Sequence, residues 1–174
     1  LRYEKDLANG VNVIARSYFD HFSYNGDAIY PFDPSLVNKN RGDSESWGIE
    51  LKTVAKVRER HRVTAGGEFR YDFRKDQQNF YEGISPANLD SRQSSKEWAA
   101  YLQDEFRIHP KLILNAGVRY DHYSTFGGTT NPRLGLIWTP REKTAVKLLY
   151  GRAFRTPTSY ELYYGDYLTT KPNP

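Results

Sequence analysis

Cysteine and methionine are both absent from these 174 residues. Without cysteine there is neither a disulfide framework nor a thiolate metal site, so stability has to come from packing and backbone pairing. No uninterrupted apolar run approaches the roughly 20 residues of a transmembrane helix. That absence leaves a membrane β-barrel open, because only alternate residues of such a strand touch lipid. Blocks of one charge are missing too: 25 Lys and Arg are interleaved with 21 Asp and Glu, and the net charge of +4 is spread along the chain. Nucleic acid is therefore not an expected partner. No nucleophile elbow, Walker loop or GxGxxG stretch occurs. His21, His61, His109 and His122 lack paired ligand spacing, and His61 and His109 fall in expected turns where an imidazole is solvated. No catalytic residue, metal or cofactor is assigned, and an enzyme is not expected. The chain opens on Leu1, ends in "KPNP" and carries no signal peptide, and it reads as a piece of something longer.

What is present is aromatic residue and alternation. Tyr, Phe and Trp number 14, 9 and 3. A strand turns successive side chains to opposite faces, and period two recurs almost throughout. In "WGIELKTVAKV" Trp47, Ile49, Leu51, Ala55 and Val57 share one face and Glu50, Lys52 and Lys56 the other. "VTAGGEFRYDFR" sets Val63, Ala65, Phe69, Tyr71 and Phe73 against Glu68, Arg70 and Asp72. "LILNAGVRYDHY", "PRLGLIW" and "AVKLLY" repeat the pattern through Leu114, Val118 and Tyr120, then Leu134 and Trp138, then Val146, Leu148 and Tyr150. Two segments are less clean. In "VNVIARSYFDHFSY" apolar residues fall on both faces, and in "WAAYLQDEFRI" Asp104 interrupts the apolar side, where a carboxylate toward lipid is costly.

The connections alternate in length. "RERH", "HPK" and "PREK" are hairpin-short, whereas residues 25–43 and 75–95 read as long loops rich in Asn, Asp, Ser, Gly and Pro, with 124–131 a shorter one at the same end. Soluble sandwiches also alternate apolar and polar residues. Three features favour the membrane: strands of about 10 to 12 residues, which suffice to cross the hydrocarbon at a tilt; aromatic residues such as Trp47, Phe73, Trp98, Tyr120, Trp138 and Tyr150 at the ends of the apolar faces; and short turns at one end with long loops at the other. The expected fold class is all-β, an antiparallel up-and-down transmembrane barrel segment of about eight strands forming a single domain over 1–174.

The words "YLQDEFRI", "AGVRYDHY", "TNPRLGLIW" and "LLYGRAFRTPTSYEL", in that order and spacing over residues 97–166, resemble TonB-dependent outer-membrane receptors of the ferric-siderophore and colicin receptor type. The resemblance implies a barrel of about 22 strands with a plugged lumen. It also implies import of scarce iron or cobalt chelates and energy delivered by TonB through an N-terminal plug, a domain this chain does not contain. Outer-membrane lipid is the expected surroundings, and a colicin or phage is a further partner the family type admits. A ferric siderophore is the expected cargo. Cobalamin is the alternative within transport, and a passive porin, a small structural barrel or a soluble carbohydrate-binding sandwich are the rivals of other classes.

On the barrel reading one face meets lipid and the other a polar lumen, where Glu50, Lys52, Glu68, Arg70, Asp72, Gln103, Glu105, Arg107, Arg119, Asp121, Arg133 and Lys147 would pair across strands or hold the plug. In "GRAFRTP" Arg152 and Arg155 are expected to face the lumen or the vestibule. Substrate contact is expected at the loops, from aromatic and basic residues suited to anionic, aryl-bearing chelates: Tyr30, Phe32, Arg92, Tyr123, Phe126, Tyr160, Tyr163, Tyr164 and Tyr167. The Arg-Gly-Asp of "NRGDS" is read as turn chemistry, not as an adhesion signal.

Overall fold

A computed structural model describes residues 1–30 and 33–164, with the backbone alone at Tyr30, Pro34 and Ser35. Eight strands follow in chain order: β1 Arg2–Leu7, β2 Val11–Tyr30, β3 Asp33–Val57, β4 His61–Tyr81, β5 Leu89–His109, β6 Leu112–Tyr123, β7 Gly127–Arg141 and β8 Thr144–Gly151. A short helix, α1, spans Ser159–Tyr163. Each strand is hydrogen-bonded to its sequence neighbours, giving one sheet in the order β1 to β8. The pairings of β1 with β2, β5 with β6, β6 with β7 and β7 with β8 are antiparallel. This is the expected all-β, up-and-down arrangement.

Two compact units are described by their internal packing. The first comprises Leu1–Tyr18, Gly48–Arg70 and Lys96–Phe154; the second comprises Phe19–Trp47, Tyr71–Ser95 and the segment from Arg155.

In the first unit the register converts the sequence alternation into two continuous faces. Leu102 lies opposite Val118, Ala116 opposite Leu134, and Leu134 opposite Tyr150, so apolar residues form rows across four strands. Among the described residues no second layer covers them: Leu134 is 50% exposed and Leu148 72%. Gln103, Gly117, Arg133 and Gly151 form the matching row on the other face. A face of leucine and valine open to its surroundings is unusual for a water-soluble sheet and ordinary for one solvated by lipid. Trp98 and Tyr120 sit 5.4 Å apart on this apolar face.

Two exceptions in the apolar pattern resolve. Asp104 does lie on the apolar face, opposite Ala116, but its Oδ2 is 2.6 Å from Nδ1 of His61, whose ring stacks on Phe106 at 4.3 Å. His61 is therefore the first residue of β4 and a partner for a carboxylate, not a solvated turn residue. His109 likewise ends β5. In β2 the ambiguity is settled by contacts: a Cβ on Gly48 would run into the Tyr18 ring, which puts Tyr18 on the polar face with Gly48, while Phe19 approaches Phe73 at 6.2 Å.

The short turns match expectation. The β3–β4 reversal takes Arg58 and Glu59 through φ of 50° and 58°, the left-handed geometry of tight hairpin turns, more usually filled by Asn-Gly. The long loops do not match. β2 and β3 continue to Tyr30 and from Asp33, β4 runs to Tyr81 and β5 starts at Leu89, so 25–43 and 75–95 are mostly strand. The connection 124–131 shrinks to three residues before Gly127. Strands of 20 to 25 residues replace the shorter ones expected. The polar composition misled because a paired strand needs its backbone groups satisfied, and that requirement is met by neighbouring strands whatever the side chains. Alternation also slips within β4: Asp72 and Asn79 are both buried although an odd interval separates them, the phase change that an inserted bulge residue produces.

Candidate functional site

The polar face of the first unit is organised around Arg119. Its two terminal nitrogens donate to Glu68 Oε1 and Oε2 at 3.0 and 2.8 Å, and its Nε donates to Asp121 Oδ1 at 2.7 Å. Asn131 Nδ2 donates to the other Asp121 oxygen at 3.2 Å. The fork geometry of guanidinium matches a carboxylate with two parallel bonds, which fixes direction as well as distance. Arg119 also stands over the Tyr101 ring, 5.7 Å from its centroid. That ring lies across Gly66, where any Cβ would meet both the ring and the Leu51 carbonyl. Glycine there is what lets a bulky ring lie flat on the wall.

Beside this network the polar wall is recessed. One hollow of about 430 Å³ is bordered by Gln103, Arg133 and Arg152 with Gly117, Gly135 and Gly151. A second, of about 370 Å³, is lined by Lys52, Glu68, Arg119 and Arg133. Arg70 borders a third with Tyr18 and Asp121. Glu105 and Arg107 line a hollow with Lys56 and Arg62. Glu50 is half-buried on the same face and Lys147 is exposed on β8 opposite Ile137. Thus most of the expected polar-face set in the first unit does share one face, with Glu68, Arg119 and Asp121 brought into direct contact. Tyr101, Tyr18 and Asn131 were missed; their odd or even positions along the strands already placed them on that face.

In the second unit Asp72 is 1% exposed, bound by Lys75 Nζ at 2.7 Å and by the Ser95 hydroxyl at 3.0 Å. Farther along β4 the chemistry turns neutral. Asn38 and Asn79 exchange amide hydrogen bonds at 3.0 and 2.9 Å, and Asn88 Nδ2 donates to Asn79 Oδ1 at 2.9 Å. The Tyr164 hydroxyl accepts from Asn79 at 3.2 Å and from Asn40 at 3.4 Å, and donates to Asn40 Oδ1 at 3.5 Å. None of these asparagines was singled out from the sequence, since asparagine in a Gly- and Pro-rich stretch reads as turn composition.

The segment after β8 is held by its own bonds. Thr158 and Glu161 form a reciprocal capping box at the start of α1. Arg155 donates twice to the Glu161 carboxylate, at 2.9 and 2.8 Å. Arg155 foremost, and then the Thr158 backbone N–H, hold the Glu161 carboxyl down to about 2, well under its ordinary 4.5. Tyr160 stacks on Tyr164 at 4.2 Å.

The expected substrate-contact residues are dispersed. Tyr123, Phe126 and Phe154 form an aromatic cluster in the first unit, with centroids 4.5 to 6.3 Å apart. Tyr160, half-buried Tyr163 and buried Tyr164 belong to the second unit, as does Arg92, which is 3.9 Å from Asp90. Phe32 and Tyr167 lie outside the described residues, and Tyr30 contributes only backbone to them. Among the described residues no group of three or more His, Asp or Glu is placed to hold a metal ion.

An antiparallel sheet with an open apolar face and a charged, recessed one defines the wall of a membrane β-barrel. The family model for the TonB dependent receptor-like β-barrel matches residues 1–174, and the chain belongs to that family. Its members are transport receptors, not enzymes, and membership implies an outer-membrane location. Two relatives from Pseudomonas aeruginosa are similar over part of their length: a ferric enterobactin receptor, 29% identical over 86 residues, or 49% of this chain and 11% of that protein, and the ferric enterobactin receptor PirA, 33% identical over 75 residues, or 43% and 10%. Among solved structures, the ferric citrate transporter FecA in its unliganded form gives a TM-score of 0.68 at 15% identity, with 84% of this chain and 25% of that one covered. The ferric enterobactin receptor PfeA from P. aeruginosa, as a G324V mutant, gives 0.67 at 16% identity, with 91% and 25% covered. These likenesses confirm the fold. The chain spans about a tenth of the length of the relatives it matches by sequence.

Proposed function

We propose that this chain forms part of the barrel wall of an outer-membrane receptor that imports a ferric siderophore, with TonB supplying the energy through a plug domain seated against the polar face. The observation that carries this reading is the sequence similarity to two ferric enterobactin receptors. The wall is suited to the task. The Glu68–Arg119–Asp121 network and the hollows beside it offer a plug many polar contacts of modest individual strength, so that the plug is held yet movable. In this reading Glu50, Lys52, Arg70, Gln103, Glu105, Arg107, Arg133, Lys147 and Arg152 face the plug or the passage. The aromatic cluster of Tyr123, Phe126 and Phe154 contacts the chelate at the mouth. The chemistry is binding and gated passage, with no covalent step.

Deleting the encoding gene and measuring radioiron uptake under iron limitation tests this. Loss of uptake from a ferric catecholate siderophore, restored by the intact gene and abolished when TonB is inactivated, is the expected result. Unchanged iron uptake with loss of cobalamin uptake would replace the cargo, and uptake insensitive to TonB would replace the mechanism with a passive pore.

A further inference from the structure

The most deeply buried ring in the described residues is not in an apolar core. Tyr164 is 7% exposed, and the only other apolar side chain buried to that degree is Ala99. What surrounds the Tyr164 hydroxyl is amide. Asn38 and Asn79 are buried and pair with one another, and Asn88 joins them, through bonds of 2.9 to 3.0 Å that do not involve Tyr164. The phenol is the looser member, since its three contacts to Asn79 and Asn40 run from 3.2 to 3.5 Å, at the long, weak end of hydrogen-bond geometry. The cradle is thus preformed, and its guest is held less firmly than its walls.

The guest is also mounted next to a short helix with its own capping bonds. Residues 152–158 have no regular structure. Beyond them α1 is secured by Thr158, Glu161 and Arg155, all within the segment. Tyr160 stacks on Tyr164 and travels with it. Withdrawing the phenol therefore breaks the contacts to Asn40 and Asn79 and leaves the segment's own bonds intact.

We propose that the cradle of Asn38, Asn40, Asn79 and Asn88 is a binding site for a hydroxyaryl group, which Tyr164 occupies as an internal stand-in until a ligand's aryl hydroxyl displaces it. Neutral amides present both donors and acceptors and match a hydroxyl, which also does both. Among the described residues no charged side chain bonds to the phenol or to the amides, so carboxylate and phosphate ligands gain no charge-assisted bond from them. The inference deepens the transport reading and rests on it for the claim that an aryl-bearing chelate reaches this end of the molecule.

The test uses the full-length receptor purified in detergent, with calorimetric titration of two probes: catechol free of iron, and ferric enterobactin. Emptying the seat with Tyr164→Ala removes the competitor, so catechol affinity is expected to rise about three- to tenfold, the equivalent of one net hydrogen bond. Tyr164→Phe keeps the ring, loses all three contacts and gains about threefold; it carries the test should the alanine variant fail to fold. Asn79→Ala combined with Tyr164→Phe abolishes the gain. Benzoate, which lacks the hydroxyl, binds all four proteins equally. Catechol affinity that is unchanged by both Tyr164 variants, or a gain that survives Asn79→Ala, overturns the proposal. Failure of the wild type to bind ferric enterobactin, with the catechol pattern intact, overturns the catecholate cargo of the transport reading and leaves the cradle standing.

Discussion

Two polar networks, one in each unit, are built on long strands with opposite chemistry, although the second unit also carries the Asp72–Lys75 ion pair. In the first, Arg119 joins Glu68 and Asp121 by charge-assisted bonds of 2.7 to 3.0 Å. In the second, Asn38, Asn79 and Asn88 join by neutral amide bonds of similar length. Ionic pairs are directional but lose their value when one member goes, because the other keeps its charge in a partly dehydrated place. Amide clusters lose less, and each member can find a substitute. The Arg119 network is built for permanence and the asparagine cluster for exchange.

The largest expected effect comes from the apolar face opposite the Arg119 network. Leu134→Arg puts a charge on the apolar face at a half-exposed position and should destabilise the barrel by about 2–4 kcal/mol. Arg133→Leu, one residue away on the polar face, should cost well under half as much. Heat-modifiable migration of the detergent-extracted protein reads both, and equal effects would mean that the two faces see the same solvent. Next in size, Arg119→Ala strands the Glu68 and Asp121 carboxylates. With these side chains partly exposed, a loss of about 2 kcal/mol is expected, seen as a lower unfolding midpoint that Arg119→Lys restores only in part.

Asn79→Ala should cost about 1 kcal/mol and should act locally: hydrogen exchange accelerates near residues 36–40 and 164 and is unchanged near 101 and 119. Acceleration in both places would dissolve the distinction between the units. The smallest effect concerns Glu161. Its carboxyl titrates lower in the folded chain than the ordinary 4.5, so the capping contribution is complete above that value and fades as pH falls toward about 2. Proteolytic nicking of residues 152–164 should therefore stay constant from pH 7 to pH 5 and rise progressively as pH falls from 4.5 toward about 2, whereas Glu161→Gln should be nicked faster already at pH 7.

Much of the first unit is legible by counting. Odd and even positions in "VTAGGEFRYDFR" and "LILNAGVRYDHY" separate Glu68, Arg119 and Asp121 from Phe69, Val118 and Tyr120, and the register keeps them apart. Tyr101 was legible on the same count, yet an aromatic on a polar face invites no attention until Gly66 is seen beneath it. The second unit was hidden for two reasons. Its asparagines sit in Asn-, Gly- and Pro-rich stretches that read as turn composition, and the alternation slips between Asp72 and Asn79, so counting from the apolar end of β4 puts later residues on the wrong side.

By itself the sequence determined that this chain is a file of two-faced strands joined by tight turns at one end, because the period of a strand is a property of neighbouring residues and needs no partner. Which carboxylate meets Arg119, that Asp104 finds His61, and that Tyr164 closes over asparagines from β3 and β4 were decided only in the folded structure. Those contacts join residues up to 124 positions apart, and strand register, with the return of the segment after β8 in the case of Tyr164, brings them together where local preference does not.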